Sequence, residues 1–143
     1  MQLVDPELVI SDRGIAHTLL IRDASSADLD FETPFRLVIS RPSDLRAFVI
    51  SFDVVFAAAA FAKQVTLTTG VAAEPTHWKQ TALWLTPDNS TPVQAGDVVA
   101  GVLKYIRGAN NARDYTVAVT WRIHPGGAAD SSDERSQSFL LAS

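Results

Sequence analysis

Between positions 115 and 123 the side chains alternate. Tyr115, Val117, Val119, Trp121 and Ile123 are large and apolar, and Thr116, Thr120 and Arg122 stand between them. A two-residue period suits a strand with one face on a core and the other toward water. It does not suit a helix, whose faces repeat every three to four residues. Nowhere does the chain show a long amphipathic helical pattern, so the chain reads as sheet from end to end.

The other apolar runs are short and bounded by turn residues. Residues 98–107 are apolar at both odd and even positions, which predicts a strand covered on both faces. Phe35, Leu37 and Ile39 alternate with Arg36, Val38 and Ser40 within a strand predicted over 31–40. Further strands are predicted over 15–22, 64–68, 81–86 and 134–141. Residues 45–56, rich in Phe, Val and Ile, read as one long buried strand. The clusters at 41–44, 87–92 and 94–97 carry the Pro, Asn, Asp and Gly of turns. A polar connection over 108–114 joins two strands as a hairpin, and 125–132 is a glycine-containing loop. The alanine run at 57–60 favours helix, but a segment of 57–62 is too short to hold one alone and reads as a loop or a single turn. The expected fold is all-β, an antiparallel β-barrel or sandwich of about eight strands. Residues 1–143 form one domain, with 1–14 as a lead-in.

Composition narrows the function classes. A net charge of −4 argues against nucleic acid as a direct partner, because phosphate recognition needs a basic surface. The chain has no cysteine, which removes disulfides and thiolate metal sites and is compatible with the cytoplasm or nucleus. No apolar run approaches the roughly 20 residues of a membrane-spanning helix, so no membrane partner is expected. The start of the chain lacks a signal peptide and reads as cut into a larger protein. His17, His77 and His124 are too scattered for a zinc site. No Gly-x-Gly-x-x-Gly loop lies between a strand and a helix, so no nucleotide-type pocket is expected.

One corner stands out. In Pro75-Thr76-His77-Trp78-Lys79-Gln80 a proline stiffens the backbone just before an imidazole and an indole. Imidazole changes charge near neutral pH, and indole is a flat apolar wall with one N–H donor. Residue types leave two readings open. The pair lines a site for a planar or cationic ligand, or Trp78 is core and His77 a turn residue. Trp84 and Trp121, on alternating strands, read as core.

The run Glu74-Pro75-Thr76-His77-Trp78-Lys79-Gln80-Thr81 resembles the Thr-His-Trp loop of the protein arginine methyltransferases. Further segments fall in that family's order. They are Val4-Asp5-Pro6 with Leu8-Val9-Ile10-Ser11, Asp28-Leu29-Asp30-Phe31 with Pro34-Phe35, Phe52-Asp53-Val54-Val55-Phe56, Gln94-Ala95-Gly96-Asp97 and Asn110-Asn111-Ala112-Arg113-Asp114. The similarity covers most of the chain and fades after about Gly126. It implies the C-terminal β-barrel of an S-adenosylmethionine-dependent enzyme whose N-terminal methyltransferase domain lies outside this chain. In that family His77 would pair with a carboxylate of the catalytic domain. Trp78, with Thr76, would help bind the substrate arginine. The implied partners are the N-terminal domain and arginine-containing proteins. The whole enzyme would be a homodimer, and this chain alone a monomer, inactive and without cofactor. The alternative is a stand-alone β-sandwich that binds a ligand or protein and catalyses nothing.

Overall fold

The structure, a computed structural model, describes residues 2–57, 63–108, 111 and 113–141. Ten strands are defined among them: β1 (Phe31–Val38), β2 (Ser43–Leu45), β3 (Ala47–Ile50), β4 (Asp53–Phe56), β5 (Val65–Thr68), β6 (Thr81–Trp84), β7 (Thr91–Val93), β8 (Val98–Arg107), β9 (Tyr115–His124) and β10 (Arg135–Leu141). Every ladder between them is antiparallel. The described helices are single 3-10 turns at Pro6–Leu8, Ser26–Leu29 and Pro125–Gly127. The all-β antiparallel class is therefore as expected. The chain divides into two compact units, Ile10–Leu45 with Pro87–Ser143, and Met1–Val9 with Arg46–Thr86.

The larger unit is built on a four-stranded sheet in the order β1-β8-β9-β10. Its centre is the β8–β9 hairpin, whose bounds match the apolar runs at 98–107 and 115–123 almost residue for residue. The alternation in β9 becomes burial: Val117, Val119, Trp121 and Ile123 are all buried. Burying a large aliphatic or aromatic side chain contributes roughly 1.5–3 kcal/mol, so this one face accounts for much of the unit's stability. Gly101 of β8 faces Trp121 of β9 and Phe35 of β1 in register. A side chain there would run into the β9 backbone, because a Cβ would lie 1.9 Å from the Thr120 carbonyl oxygen. The Asp30 carboxylate closes one end of the β1–β8 ladder. It accepts the Arg107 backbone N–H at 2.8 Å and pairs with the Arg107 guanidinium at 2.9 Å. Asp97 is buried and closes the 94–97 turn. Its two oxygens accept the N–H groups of Gln94 (2.8 Å) and Gly126 (2.9 Å).

The smaller unit pairs β3 with β6 and β4 with β5. Its fully buried positions are few. Among its described residues Leu83 is the buried hydrophobic side chain, accompanied by the polar Thr69 and Gln80. Hydrogen bonds therefore carry more of this unit's definition than packing does.

Several expectations are corrected. Residues 15–22 form no strand: Ile15, Leu20 and Ile21 are exposed and no ladder runs beside them. Their β-favouring side chains have no neighbouring strand to pack on, and without one the propensity has little effect. Residues 45–56 are not one buried strand. They are divided among the end of β2, then β3 and β4, each with a different partner. The break falls at Ser51–Phe52, where the Phe52 backbone is taken up by Thr69 instead of a continuing ladder. Val49, Phe52, Val55 and Phe56 are exposed. Trp84 is also exposed, at 56%, so of the two tryptophans expected in the core only Trp121 is there. The turn clusters at 41–44 and 87–92 run into two short strands, β2 and β7, that pair with each other. The alanine run 58–60, with 61–62, and positions 109, 110 and 112 of the hairpin connection lie outside the described residues.

Candidate functional site

The Pro75–Gln80 corner lies in the smaller unit between β5 and β6. Two turns build it. The first is closed by the Ala73 N–H on the Gly70 carbonyl (3.0 Å), the second by the Lys79 N–H on the Thr76 carbonyl (3.2 Å). Lys79 has φ 53, the left-handed region that a non-glycine residue enters only when its surroundings hold it there. This reversal delivers the chain into β6.

His77 and Trp78 occupy the tip of the second turn. His77 is exposed, and Trp78 is 45% exposed. Their rings meet edge to face with centroids 6.0 Å apart and an interplanar angle of 78°. Trp78 makes a second contact of this type with Phe52, at 6.0 Å and 72°. Such contacts contribute about 0.5–1.5 kcal/mol beyond burial, enough to bias ring orientation at an exposed site. Thr76 is half-buried, and its hydroxyl oxygen is buried with no hydrogen-bond partner among the described residues. The three residues singled out from the sequence thus lie together on one turn. The reading of Trp78 as core is not what the structure shows.

The corner is tied down by residues to which the sequence alone assigned no role. Gln80 is 4% exposed. Its Oε1 accepts the Val4 N–H at 3.0 Å, and its Nε2 donates to the Thr69 carbonyl at 2.8 Å. Its backbone exchanges two further bonds with Gln2 (2.9 and 3.0 Å). Thr69 in turn grips Phe52: its N–H and its hydroxyl both reach the Phe52 carbonyl (3.0 and 2.9 Å), and its Oγ1 accepts the Phe52 N–H at 2.9 Å. The sequence signal was slight, a glutamine directly ahead of an apolar strand run. Beside the corner, Leu3, Val4, Pro6, Val71, Pro75 and Gln80 line a shallow apolar hollow of about 230 Å³.

Chemically, the corner presents an exposed imidazole and a half-exposed indole in edge-to-face contact. A flat, delocalised cation suits an aromatic wall of this kind. The other histidines are elsewhere. His17 stacks on Phe31 at 4.2 Å, and His124 Nδ1 donates to the Ala128 carbonyl at 3.1 Å. No group of three or more metal-ligating side chains gathers among the described residues.

A nucleoside-type pocket of the doubly wound kind is built from a parallel strand, a glycine-rich turn and the start of a helix. The described strands are antiparallel and the described helices are three or four residues long. No helix of the described residues is long and apolar enough to cross a membrane.

Residues 1–126 match the family model of the arginine methyltransferase oligomerization subdomain. The ribosomal protein arginine N-methyltransferase rmt3 of Schizosaccharomyces pombe is 32% identical over 145 residues, covering 96% of this chain and 24% of that protein. Protein arginine N-methyltransferase 1.1 of Arabidopsis thaliana is 30% identical over 121 residues, covering 85% of this chain and 30% of that protein. The chain thus spans about a third or less of the length of these relatives. Among solved structures, a chain of the Trypanosoma brucei PRMT1 enzyme–prozyme heterotetrameric complex with AdoHcy is similar at a TM-score of 0.83 and 27% identity, over 99% of this chain and 43% of that one. An open conformation of protein arginine methyltransferase 10 from Arabidopsis thaliana is similar in fold, with a TM-score of 0.89 at 18% identity, over 99% of this chain and 41% of that one.

Proposed function

The chain belongs to the family of the arginine methyltransferase oligomerization subdomain, and on that premise we propose that it is the C-terminal subdomain of a protein arginine N-methyltransferase. Its task in the parent enzyme is to help bind the substrate protein and to complete the pocket that receives the arginine. Residues 1–143 act as one subdomain, with 1–14 as its lead-in, and the enzyme works as a dimer in the cytoplasm or nucleus. S-adenosylmethionine, when bound to the N-terminal domain, supplies the methyl group.

The observation that carries this reading is the Thr76–Trp78 turn, which holds an exposed imidazole and a half-exposed indole at one tip. Trp78 is the wall for the planar guanidinium. His77 pairs with a carboxylate of the N-terminal domain, drawing that domain over the corner. Thr76, half-buried beside them on the same turn, helps bind the substrate arginine.

Methyl transfer tests the proposal. The parent polypeptide, given labelled S-adenosylmethionine and an arginine-rich peptide, is expected to label arginine. The isolated chain is expected to give no transfer and no saturable calorimetric binding of S-adenosylmethionine. Tight stoichiometric binding by the isolated chain, or labelling of residues other than arginine by the parent polypeptide, contradicts it.

A further inference from the structure

Lys79 is held in a left-handed conformation at the foot of the turn that carries His77 and Trp78. A strained backbone of that kind persists only where its surroundings over-determine it. On the N-terminal side the support is the single Thr76–Lys79 hydrogen bond. On the C-terminal side it is Gln80, and Gln80 makes four.

The carboxamide of Gln80 is unusual in having both ends engaged while buried. Two other chain segments meet at Gln80: in the first, Val4 gives its N–H to Oε1 and Gln2 pairs with the backbone, and in the second the Thr69 carbonyl receives Nε2. An amide carries a donor and an acceptor on one rigid plane, so it reads the positions of residues 4 and 69 at once. Few buried apolar side chains surround it in this unit, so these bonds have little packing to replace them. From Thr69 the constraint continues to the Phe52 backbone, and from the Phe52 ring to the Trp78 ring packed at 72° to it. Trp78 leads covalently through Lys79 back to Gln80. The path is a closed circuit that fixes Trp78 from both sides.

We propose that Gln80 is the positioning residue of the Thr-His-Trp corner, setting the orientation of His77 and Trp78 through the circuit Gln80–Thr69–Phe52–Trp78. The proposal rests on the reading that His77 and Trp78 act in the arginine pocket. Gln80 itself touches no substrate. It determines whether the indole wall and the imidazole are presented together or drift apart.

The test is NMR of the full 143-residue chain, reading the Phe52–Trp78 ring cross-peak, with the buried Trp121 indole signal as reporter of the larger unit. Gln80→Met keeps length and removes both side-chain bonds. The cross-peak is expected to vanish and the His77 ring signals to shift while the Trp121 signal stays. Gln80→Glu makes the clamp titratable. Protonated, the introduced carboxyl both accepts from Val4 and donates to Thr69, so the cross-peak is expected at acid pH. Ionised, it has no donor, and the cross-peak is expected to fade as pH rises. This second variant decides the matter if Gln80→Met does not fold. A cross-peak unmoved in folded Gln80→Met, or indifferent to pH in Gln80→Glu, refutes the clamp. In the parent methyltransferase, Gln80→Met is expected to lower kcat about as far as His77→Ala, with the double variant little worse, since groups acting as a unit are not additive. A silent His77→Ala refutes the pocket reading and with it the clamp's purpose, whereas an unmoved cross-peak refutes the clamp alone.

Discussion

Gly101→Ala is the sharpest test of the β8–β9 core. Gly101 sits in the interior of β8, where glycine is usually unfavourable, and its backbone needs no positive φ. Its reason is steric. A Cβ would stand 1.9 Å from the Thr120 carbonyl oxygen and 2.8 Å from Trp121 Cα. Both are backbone atoms and cannot rotate aside. Reaching even the 3.0 Å below which real Cβ contacts essentially do not occur requires a separation of 3.0 − 1.9, or 1.1 Å. A ladder hydrogen bond of about 2.9 Å does not survive that stretch. Overpacking costs about 1–3 kcal/mol in ordinary cores, and a rigid backbone obstacle places this case at the upper end. Reduced freedom of the unfolded chain returns about 0.4–1 kcal/mol. The net loss is about 2–3 kcal/mol, which for a domain of this size lowers Tm by roughly 8–12 °C. Scanning calorimetry measures it, with Gly14→Ala as control. At Gly14 a Cβ meets the Leu37 side chain at 3.7 Å and the Arg36 carbonyl oxygen at 3.9 Å, both ordinary contacts. If Gly101→Ala melts within about 2 °C of the parent chain, or if Gly14→Ala falls as far, the argument is wrong.

Leu83→Ala should cost about 2–5 kcal/mol, since Leu83 is 1% exposed and is the buried hydrophobic side chain described in the smaller unit; urea unfolding with an unchanged midpoint would contradict this. The side-chain and backbone hydrogen bonds from Arg107 hold the Asp30 carboxyl below the ordinary aspartate range. A depressed folded pKa contributes stability that is present above the unfolded value near about 4 and lost as pH falls through the folded one, so Asp30→Asn should flatten the acid side of the Tm–pH curve. A carboxyl titration of Asp30 with its midpoint at or above the ordinary value would refute that. Light scattering of the isolated chain should report a monomer, and a tight dimer at low micromolar concentration would contradict it.

Sequence was most informative where structure is local. β8 and β9 are joined by one hairpin and lie side by side, so their pairing partner is the adjacent segment and the alternation reads directly as burial. Residues 15–22 have the same β-favouring composition without a strand beside them, and that depends on chain far away in sequence. The run 45–56 misled for a related reason: its three pieces answer to β7, β6 and β5 in turn. The Thr76–Trp78 corner was legible as a stiff turn because Pro75 acts on its own neighbours. Gln80 was not legible, because its partners are Thr69 and, 76 positions away, Val4. Trp84 illustrates that a strand position does not say which face is covered.

The central claim, that the Thr-His-Trp corner serves an arginine pocket completed by another domain, is tested most directly by His77→Ala measured twice. In this chain His77 is exposed on a turn and its ring contact is the edge-to-face one with Trp78, so its loss should cost at most about 1 kcal/mol and lower Tm by no more than a few degrees. With the proposed pairing, the same change in the parent methyltransferase would remove a charge-assisted bond across the pocket, a contribution of about 1.5–3 kcal/mol, so turnover should fall roughly ten- to a hundredfold. A chain that melts much lower while the parent enzyme's turnover is untouched would make His77 a structural residue and contradict the account.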